Sequence, residues 1–372
     1  MCEYHPIYCI IPPHLLREIA QRGSTAQQAW AQRTLAISGQ IRGQREATFE
    51  TTAQEAVSTE LKRNVYNANN GTTLPGNLVR TEGDAPTGDL AVDEAYDGSG
   101  ATYDVFKDFF DRNSIDDRGM SLESTVHYEV GMDNAFWNGR QMVYGDGDED
   151  LPELQRIFNR FTIAIDIIGH ELTHGVTQNE ANLTYAFQSG ALNESMSDVF
   201  GSIVKQHSLN QEARNADWVI GGGLFTPAVK GDGIRNMKAP GTAYDDPILG
   251  RDPQPAHMDQ YKVYSYDNGG VHITSGIPNR AFYVTAFELG GFSWEKAGRI
   301  WYNTLRDKLK VDSQFQDAAN ATFEVAGDLF GVGSLEQQAV RKGWQEVGIM
   351  IDDGAGQGCG AFIASVLGIK PA

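Results

Sequence analysis

Apolar positions in the middle of the chain fall at Leu154, Ile157, Phe158, Phe161, Ile165, Ile168 and Leu172. This is the three-and-four spacing of a helix with one buried face, and it predicts a helix from about residue 154 onward. A second run, Met196, Val199, Phe200, Ile203 and Val204, predicts another. Before them, residues 60–150 are Gly-rich and carry alternating stretches, Ser124–Val130 and Arg140–Tyr144, that read as strands. After them, residues 277–350 show periodic runs broken by glycines, with S-x-x-Q caps at Ser313 and Ser334. Near the start, Pro12-Pro13 precede Leu15, Leu16 and Ile19, and Ser24-Thr25-Ala26-Gln27 reads as a capping box opening a helix with Trp30, Ile37 and Ile41 on one side. Strands first and helices after them give an α+β class with a β-rich N-terminal lobe and an α-helical C-terminal lobe.

Composition narrows the function. The 372 residues are 41% hydrophobic and 21% charged, the profile of a soluble globular protein of two ordinary domains. Net charge is −19, which argues against a nucleic-acid partner because a phosphate backbone needs a basic footprint. Up to Arg45 the chain holds five arginines against Glu3 and Glu18, a net of +3, so the rest carries −22 of the −19 total. Two short helices cannot make a core alone, and this basic piece is expected to dock on the acidic body. The division expected is therefore residues 1–50 as a removable segment, 51–185 and 186–350 as the two lobes, and 351–372 as a tail. A permanent N-terminal arm is the alternative. Three cysteines, Cys2, Cys9 and Cys359, are too few for a disulfide framework, and Cys9 reads as a buried or idle thiol rather than a metal ligand. Neither an export signal nor a membrane span is legible, so synthesis in the cytoplasm, with any export by a non-classical route, is expected, with no membrane partner.

The chemistry sits in the first predicted helix. His170-Glu171-Leu172-Thr173-His174 is an H-E-x-x-H motif. Four residues are just over one helical turn, so both imidazoles leave the same face and can hold one zinc ion, with Glu171 beside them as general base. Twenty residues on, Glu194 offers a third ligand, and a His, His, Glu set keeps the fourth position open, the catalytic pattern. Asp198 shares its face and is placed to accept the N–H of a liganding imidazole. The acidic stretch Gly145–Asp150 reads either as a hard-cation chelate or as a solvated turn.

With these motifs the chain resembles the thermolysin family of zinc metallopeptidases, and Pro12-Pro13-His14-Leu15 is similar to the short prosegments of its protealysin-like branch. The resemblance implies the two-lobe metallopeptidase fold with the cleft between the lobes. It implies that Asn134, Ala135 and Trp137, in Asp133-Asn134-Ala135-Phe136-Trp137-Asn138-Gly139, line a strand edge that pairs with substrate backbone. Tyr185 and His272 then stabilise the developing oxyanion, with Asp267 holding the His272 ring. Arg235 binds the carbonyl past the scissile bond, and Phe158, Phe161, Ile167, Ile220, Leu224 and Ile234 form an apolar pocket for the residue there. Peptide and protein substrates, the chain's own prosegment and a proteinaceous inhibitor are the partners implied. The pattern breaks at calcium: Lys205, Val219 and Gly222 stand where carboxylates are expected, although Asp166 and Asp217 persist. The paired calcium site is expected to be lost, with Asp232 and Thr226 leaving room for one weak calcium ion. A zinc exopeptidase and a non-catalytic zinc-binding protein are the other readings, and intact Glu171 and His272 argue against the second.

Overall fold

The computed structural model describes residues 8–48 and 58–352. The proposed tail beyond Asp352, Cys2 and Cys359 therefore lie outside the described residues. A two-residue strand, β1 (Tyr8–Cys9), leads into α1 (Pro13–Arg22) and α2 (Thr25–Thr48). The predicted capping box is present, the Ser24 N–H donating to Gln27 Oε1 at 2.7 Å and the Gln27 N–H to Ser24 Oγ at 3.4 Å. There follow β2 (Arg63–Asn67), β3 (Asn77–Thr81), α3 (Leu90–Phe110), β4 (Leu122–Val126), β5 (Ala135–Trp137) and β6 (Met142–Tyr144). The strands form one mixed sheet in the order β1-β5-β6-β4-β2-β3. The N-terminal arm thus supplies the strand that pairs with β5.

Two helices, α4 (Ile165–Asn179) and α5 (Phe187–Ser208), form the hub between the sheet and the helical half. They touch closely because glycines face each other. A Cβ added at Gly169 would lie 3.0 Å from Gly201 Cα, and one at Gly201 would lie 2.4 Å from Asp166 O. Only bare backbone permits that approach, and it brings the H-E-x-x-H turn against the Glu194 turn. A short strand pair, β7 (Val219–Ile220) with β8 (Arg235–Asn236), and helices α6 (Asp267–Thr274), α7 (Gly276–Leu289), α8 (Ala297–Asp307), α9 (Phe315–Phe330) and α10 (Leu335–Glu346) complete the C-terminal half.

Three expectations need correcting. The zinc helix starts at Ile165, not near 154. Its apolar approach is irregular, with single 3-10 turns at Glu153–Gln155 and Phe161–Ile163. Leu154 is 92% exposed, whereas Ile157 and Phe158 are buried because their N–H groups bond Asp148 Oδ2 at 2.7 and 2.9 Å. The periodicity there reported burial, not helix. The strand expected over 124–130 ends at Val126, since His127 and Glu129 turn to φ values of 53° and 57°. At α9 the cap is Gln314 with Asp317, one residue beyond Ser313, while the Ser334 cap holds.

Candidate metal centre and cleft

One helical turn separates His170 from His174, and their Nε2 atoms lie 3.0 Å apart. Glu194 reaches over from α5, its Oε2 3.5 Å from His170 Nε2 and its Oε1 3.5 Å from His174 Nε2. Among the described residues this is the group of three such side chains whose donor atoms converge closely enough to hold a metal ion. The residues fit zinc. Each ring has its other nitrogen occupied: His170 Nδ1 donates to Asp198 Oδ1 at 2.8 Å, and His174 Nδ1 donates to Asn193 Oδ1 at 2.8 Å with Ser197 Oγ at 3.0 Å. Both Nε2 atoms are thereby aimed at one point, as metal-ligating histidines require. All three side chains are fully buried, and among the described residues Glu194 Oε2 and Glu171 Oε1 have no hydrogen-bond partner. Buried carboxylate oxygens are costly without a positive partner, so the cluster calls for a cation.

Asp198 holds more than the His170 ring. Burial pushes its carboxyl up, but the Arg235 charge and its bonds to His170 and Arg235 outweigh this and hold it well below the usual range. Arg235 Nε and Asn279 Nδ2 both donate to Asp198 Oδ2 at 2.8 Å. Arg235 is therefore committed first to Asp198, and only its Nη1 reaches toward the cleft, donating to Ile10 O at 3.2 Å. Glu171, 0% exposed, accepts the Trp137 N–H at Oε2, 3.0 Å. Burial, then the Glu194 charge, raise its pKa well above the ordinary value.

His272 stands on α6 after a left-handed bend in which Asp267, Asn268, Gly269 and Gly270 all have positive φ. The bend lets Asp267 hold the ring twice, Oδ1 accepting from Nδ1 at 2.6 Å and Oδ2 from the His272 backbone N–H at 3.0 Å. Burial opposes protonation of His272, yet Asp267 and Glu194 outweigh it and raise the ring to about 9. Tyr185 donates its hydroxyl hydrogen to Glu194 and lies 3.2 Å from His272 Nε2. Tyr185 and His272 thus stand beside the ligand carboxylate rather than apart from it.

The strand edge is occupied by the chain itself. β1 pairs antiparallel with β5, Tyr8 opposite Trp137 and Cys9 opposite Phe136. Ile10 N donates to Ala135 O at 3.2 Å, Ile11 N to Asn134 Oδ1 at 3.0 Å, and His272 Nε2 to Cys9 O at 3.0 Å. Cys9 packs with Tyr128, Met132, Phe136 and Val143. The pocket residues Phe158, Phe161, Ile167, Ile220, Leu224 and Ile234 are all buried in one apolar cluster with Ile10 and Ile11. Among the described side chains of the arm, Arg33 pairs with Glu129, Arg17 lies 5.0 Å over the Tyr266 ring and Arg22 pairs within the arm with Glu18, while Arg42 and Arg45 lie outside the described side chains.

Most carboxylates of the acidic stretch have partners within the chain, and Asp150 is exposed. Asp146 pairs with His127, Asp148 bonds backbone at 157 and 158, and Glu149 pairs with Arg160. At the expected calcium position Lys205 Nζ lies 2.8 Å from Asp166 and 3.1 Å from Asp217. Sequence reasoning missed Asn193, Ser197 and Asn279. Asn193 and Ser197 were within reach, being four residues apart on the helix face that carries Glu194; Asn279 had no local signal.

Comparison with known proteins agrees with this geometry. The profile of the thermolysin metallopeptidase catalytic domain matches residues 32–178, and that of the alpha-helical domain of the same family matches residues 181–349. An extracellular metalloprotease of Pectobacterium carotovorum subsp. carotovorum is 49% identical over 93% of this chain and 97% of its own length. The extracellular minor metalloprotease of Serratia marcescens is 42% identical over 90% and 94%. The solved precursor of protealysin, a metalloproteinase from Serratia proteamaculans, superimposes with a TM-score of 0.83 at 51% identity, covering 92% of this chain and 99% of that one. The relatives' names correct one expectation: proteins this similar are called extracellular, so the cytoplasmic placement is not kept. An export pattern reports on one route only, and its absence carried no information on destination.

Proposed function

The chain belongs to the thermolysin family of metallopeptidases, in its protealysin-like branch, and from that premise we propose a zinc-dependent endopeptidase that cuts before bulky apolar residues and is made with an inhibitory N-terminal segment. His170, His174 and Glu194 would hold the zinc ion. When bound, zinc supplies Lewis acidity at the peptide carbonyl and makes water a stronger nucleophile. The chain's own residues do the rest. Glu171 takes the proton of the attacking water and delivers it to the leaving amine nitrogen. Tyr185 and His272 donate to the carbonyl oxygen as it gains charge, and Asp267 keeps the His272 ring oriented for this. Asn134 and Ala135 hold the substrate backbone, Trp137 fixes the Glu171 carboxylate through its N–H, and Arg235 donates to the carbonyl after the cut. The six-residue apolar pocket accepts the side chain following the scissile bond.

The observation that carries this reading is the convergence of three buried metal-capable donors with Glu171 and the Tyr185–His272 pair at the end of a strand edge that pairs with extended backbone. Residues 1–50 form the inhibitory segment: Tyr8 to Ile11 lie along that edge and deny it to other peptides. Residues 51–185 and 186–350 then form the two catalytic lobes. The test is cleavage of unstructured casein by the purified chain before and after removal of residues 1–48, with Glu171→Ala and a zinc chelator as controls. Internal cuts that appear on removal and vanish in both controls are expected. A zinc-loaded, trimmed chain that leaves casein intact would overturn the reading.

A further inference from the structure

The arm does more than cover the cleft: it presents one particular amide to the reacting groups. Of the carbonyls in the docked segment, that of Cys9 accepts from His272 Nε2 at 3.0 Å. This nitrogen lies 3.5 Å from Glu194 Oε2, the unpartnered oxygen of the metal-capable cluster. The next carbonyl, of Ile10, turns to Arg235 at 3.2 Å. On the nitrogen side, the Ile10 and Ile11 N–H groups are fixed by Ala135 and Asn134, so the register of the segment is set by four separate bonds. Ile10, wholly buried and apolar, is also the kind of residue the proposed pocket takes. A cavity of about 30 Å³ remains between segment and cleft, lined by Cys9, Ile11, Asn134, Tyr185, Asp267 and His272. That exceeds the roughly 10–15 Å³ a water molecule needs.

Building on the endopeptidase reading, we propose that the Cys9–Ile10 amide is the chain's own first substrate bond, hydrolysed in place before the arm is released. The C–N bond between Cys9 and Ile10 breaks and the oxygen of one water joins the Cys9 carbonyl carbon. Both water protons end on the Ile10 nitrogen, carried by way of Glu171, leaving a Cys9 carboxylate and an Ile10 ammonium. The cut does not open the cleft. Tyr8 and Cys9 are tied to the body by a two-residue strand and can leave, whereas Ile10 onward stays anchored through buried Ile11, Leu15, Leu16 and Ile19. Maturation then has two ordered steps: loss of residues 1–9, with the far half of the cleft still filled, and a later cut beyond α2 that frees it.

The zinc-loaded full chain and its Glu171→Ala counterpart are followed by intact mass and N-terminal sequencing in ¹⁸O-labelled water, with casein as a parallel substrate. A species beginning at Ile10 is expected in the first chain only, with one ¹⁸O in the peptide ending at Cys9. Independently of activity, hydrogen exchange on the Glu171→Ala chain is expected to show the Ile10 and Ile11 amides slowed at least tenfold relative to unfolded peptide. If casein is cut while every new N-terminus lies beyond α2 and Cys9–Ile10 stays whole, this inference falls and the endopeptidase stands. Fast exchange at both amides overturns the register. If trimmed chain leaves casein intact, the reading beneath it fails as well.

Discussion

The α4–α5 pair carries a buried charge cluster at each end, and the two are solved in opposite ways. At one end His170, His174 and Glu194 bring donor atoms to one point, and among the described residues buried oxygens of Glu194 and Glu171 have no hydrogen-bond partner, with His272 Nε2 3.5 Å from Glu194 Oε2. At the other end, one turn before His170, Asp166 faces Lys205, whose ammonium also meets Asp217 and the Val219 carbonyl. The first end directs its donor atoms at one shared point; the second directs its carboxylates at a covalently attached ammonium. A resident lysine cannot exchange, polarise a substrate or be removed by a chelator, so it serves stability. An open donor set can accept an ion that reacts. The same helix pair thus separates a functional charge site from a structural one by which residue faces the carboxylates.

The largest expected effect breaks the first end. His174→Ala removes a metal ligand, and bound zinc and peptidase activity should both be lost, with activity down at least about a thousandfold. Glu171→Ala should keep one zinc per chain, measured by elemental analysis, while kcat/KM falls by about 10²–10⁴-fold, the range for losing a general base. Equal zinc loss in both would mean that Glu171 is a ligand rather than a base. Next, Lys205→Met breaks the second end. Asp166, 1% exposed, would keep a buried charge without its partner, an expected loss of about 3–5 kcal/mol in denaturant unfolding. Calcium should raise the melting temperature of the unaltered chain no more than that of Lys205→Met, because any weak site at Asp232 and Thr226 is common to both. A larger calcium shift with Lys205 in place would show that the lysine has not replaced an ion.

Most of the first cluster was legible because local spacing dictates it. The i, i+4 histidines and the turn-mates Glu194 and Asp198 share faces by helix geometry alone. His272 and Asp267 needed family resemblance, since their meeting depends on four consecutive positive φ values that no apolar rhythm encodes. Lys205 at an expected carboxylate position was a visible break in the pattern, and the fold sets it against Asp166. The start of α4 was misread because Ile157, Phe158 and Phe161 are buried by an extended segment bonded to Asp148 and to Thr226, a tertiary cause that imitates helical periodicity. Asn279, eighty-one residues from Asp198, was invisible for the same reason: only the fold brings them together.

Asp198→Asn sharpens the comparison more gently. It leaves His170 a weaker partner at Nδ1 and buried Arg235 without its counter-charge, so zinc affinity is expected to fall 10–100-fold in a chelator competition and stability by about 3–5 kcal/mol in denaturant unfolding. An unchanged affinity would make Asp198 a partner of Arg235 alone.

The smallest effect is on the pH dependence of stability, where the two ends should fail at opposite limits. Burial lowers the Lys205 pKa, but Asp166 and Asp217 outweigh it and raise it above 10.5. Its stabilisation is therefore complete below 10.5 and lost as pH rises through the folded-state value. Burial raises Asp198, but Arg235 and His170 outweigh it and depress it below 3.8, so its stabilisation is complete above 3.8 and lost as pH falls toward the folded-state value. In metal-free chain, Tm against pH should lose part of its alkaline fall in Lys205→Met and part of its acid fall in Asp198→Asn, the second leaving the alkaline limb unchanged. If Asp198→Asn flattened the alkaline limb as well, the two ends would be one coupled network, and their contrast would not reflect separate tasks.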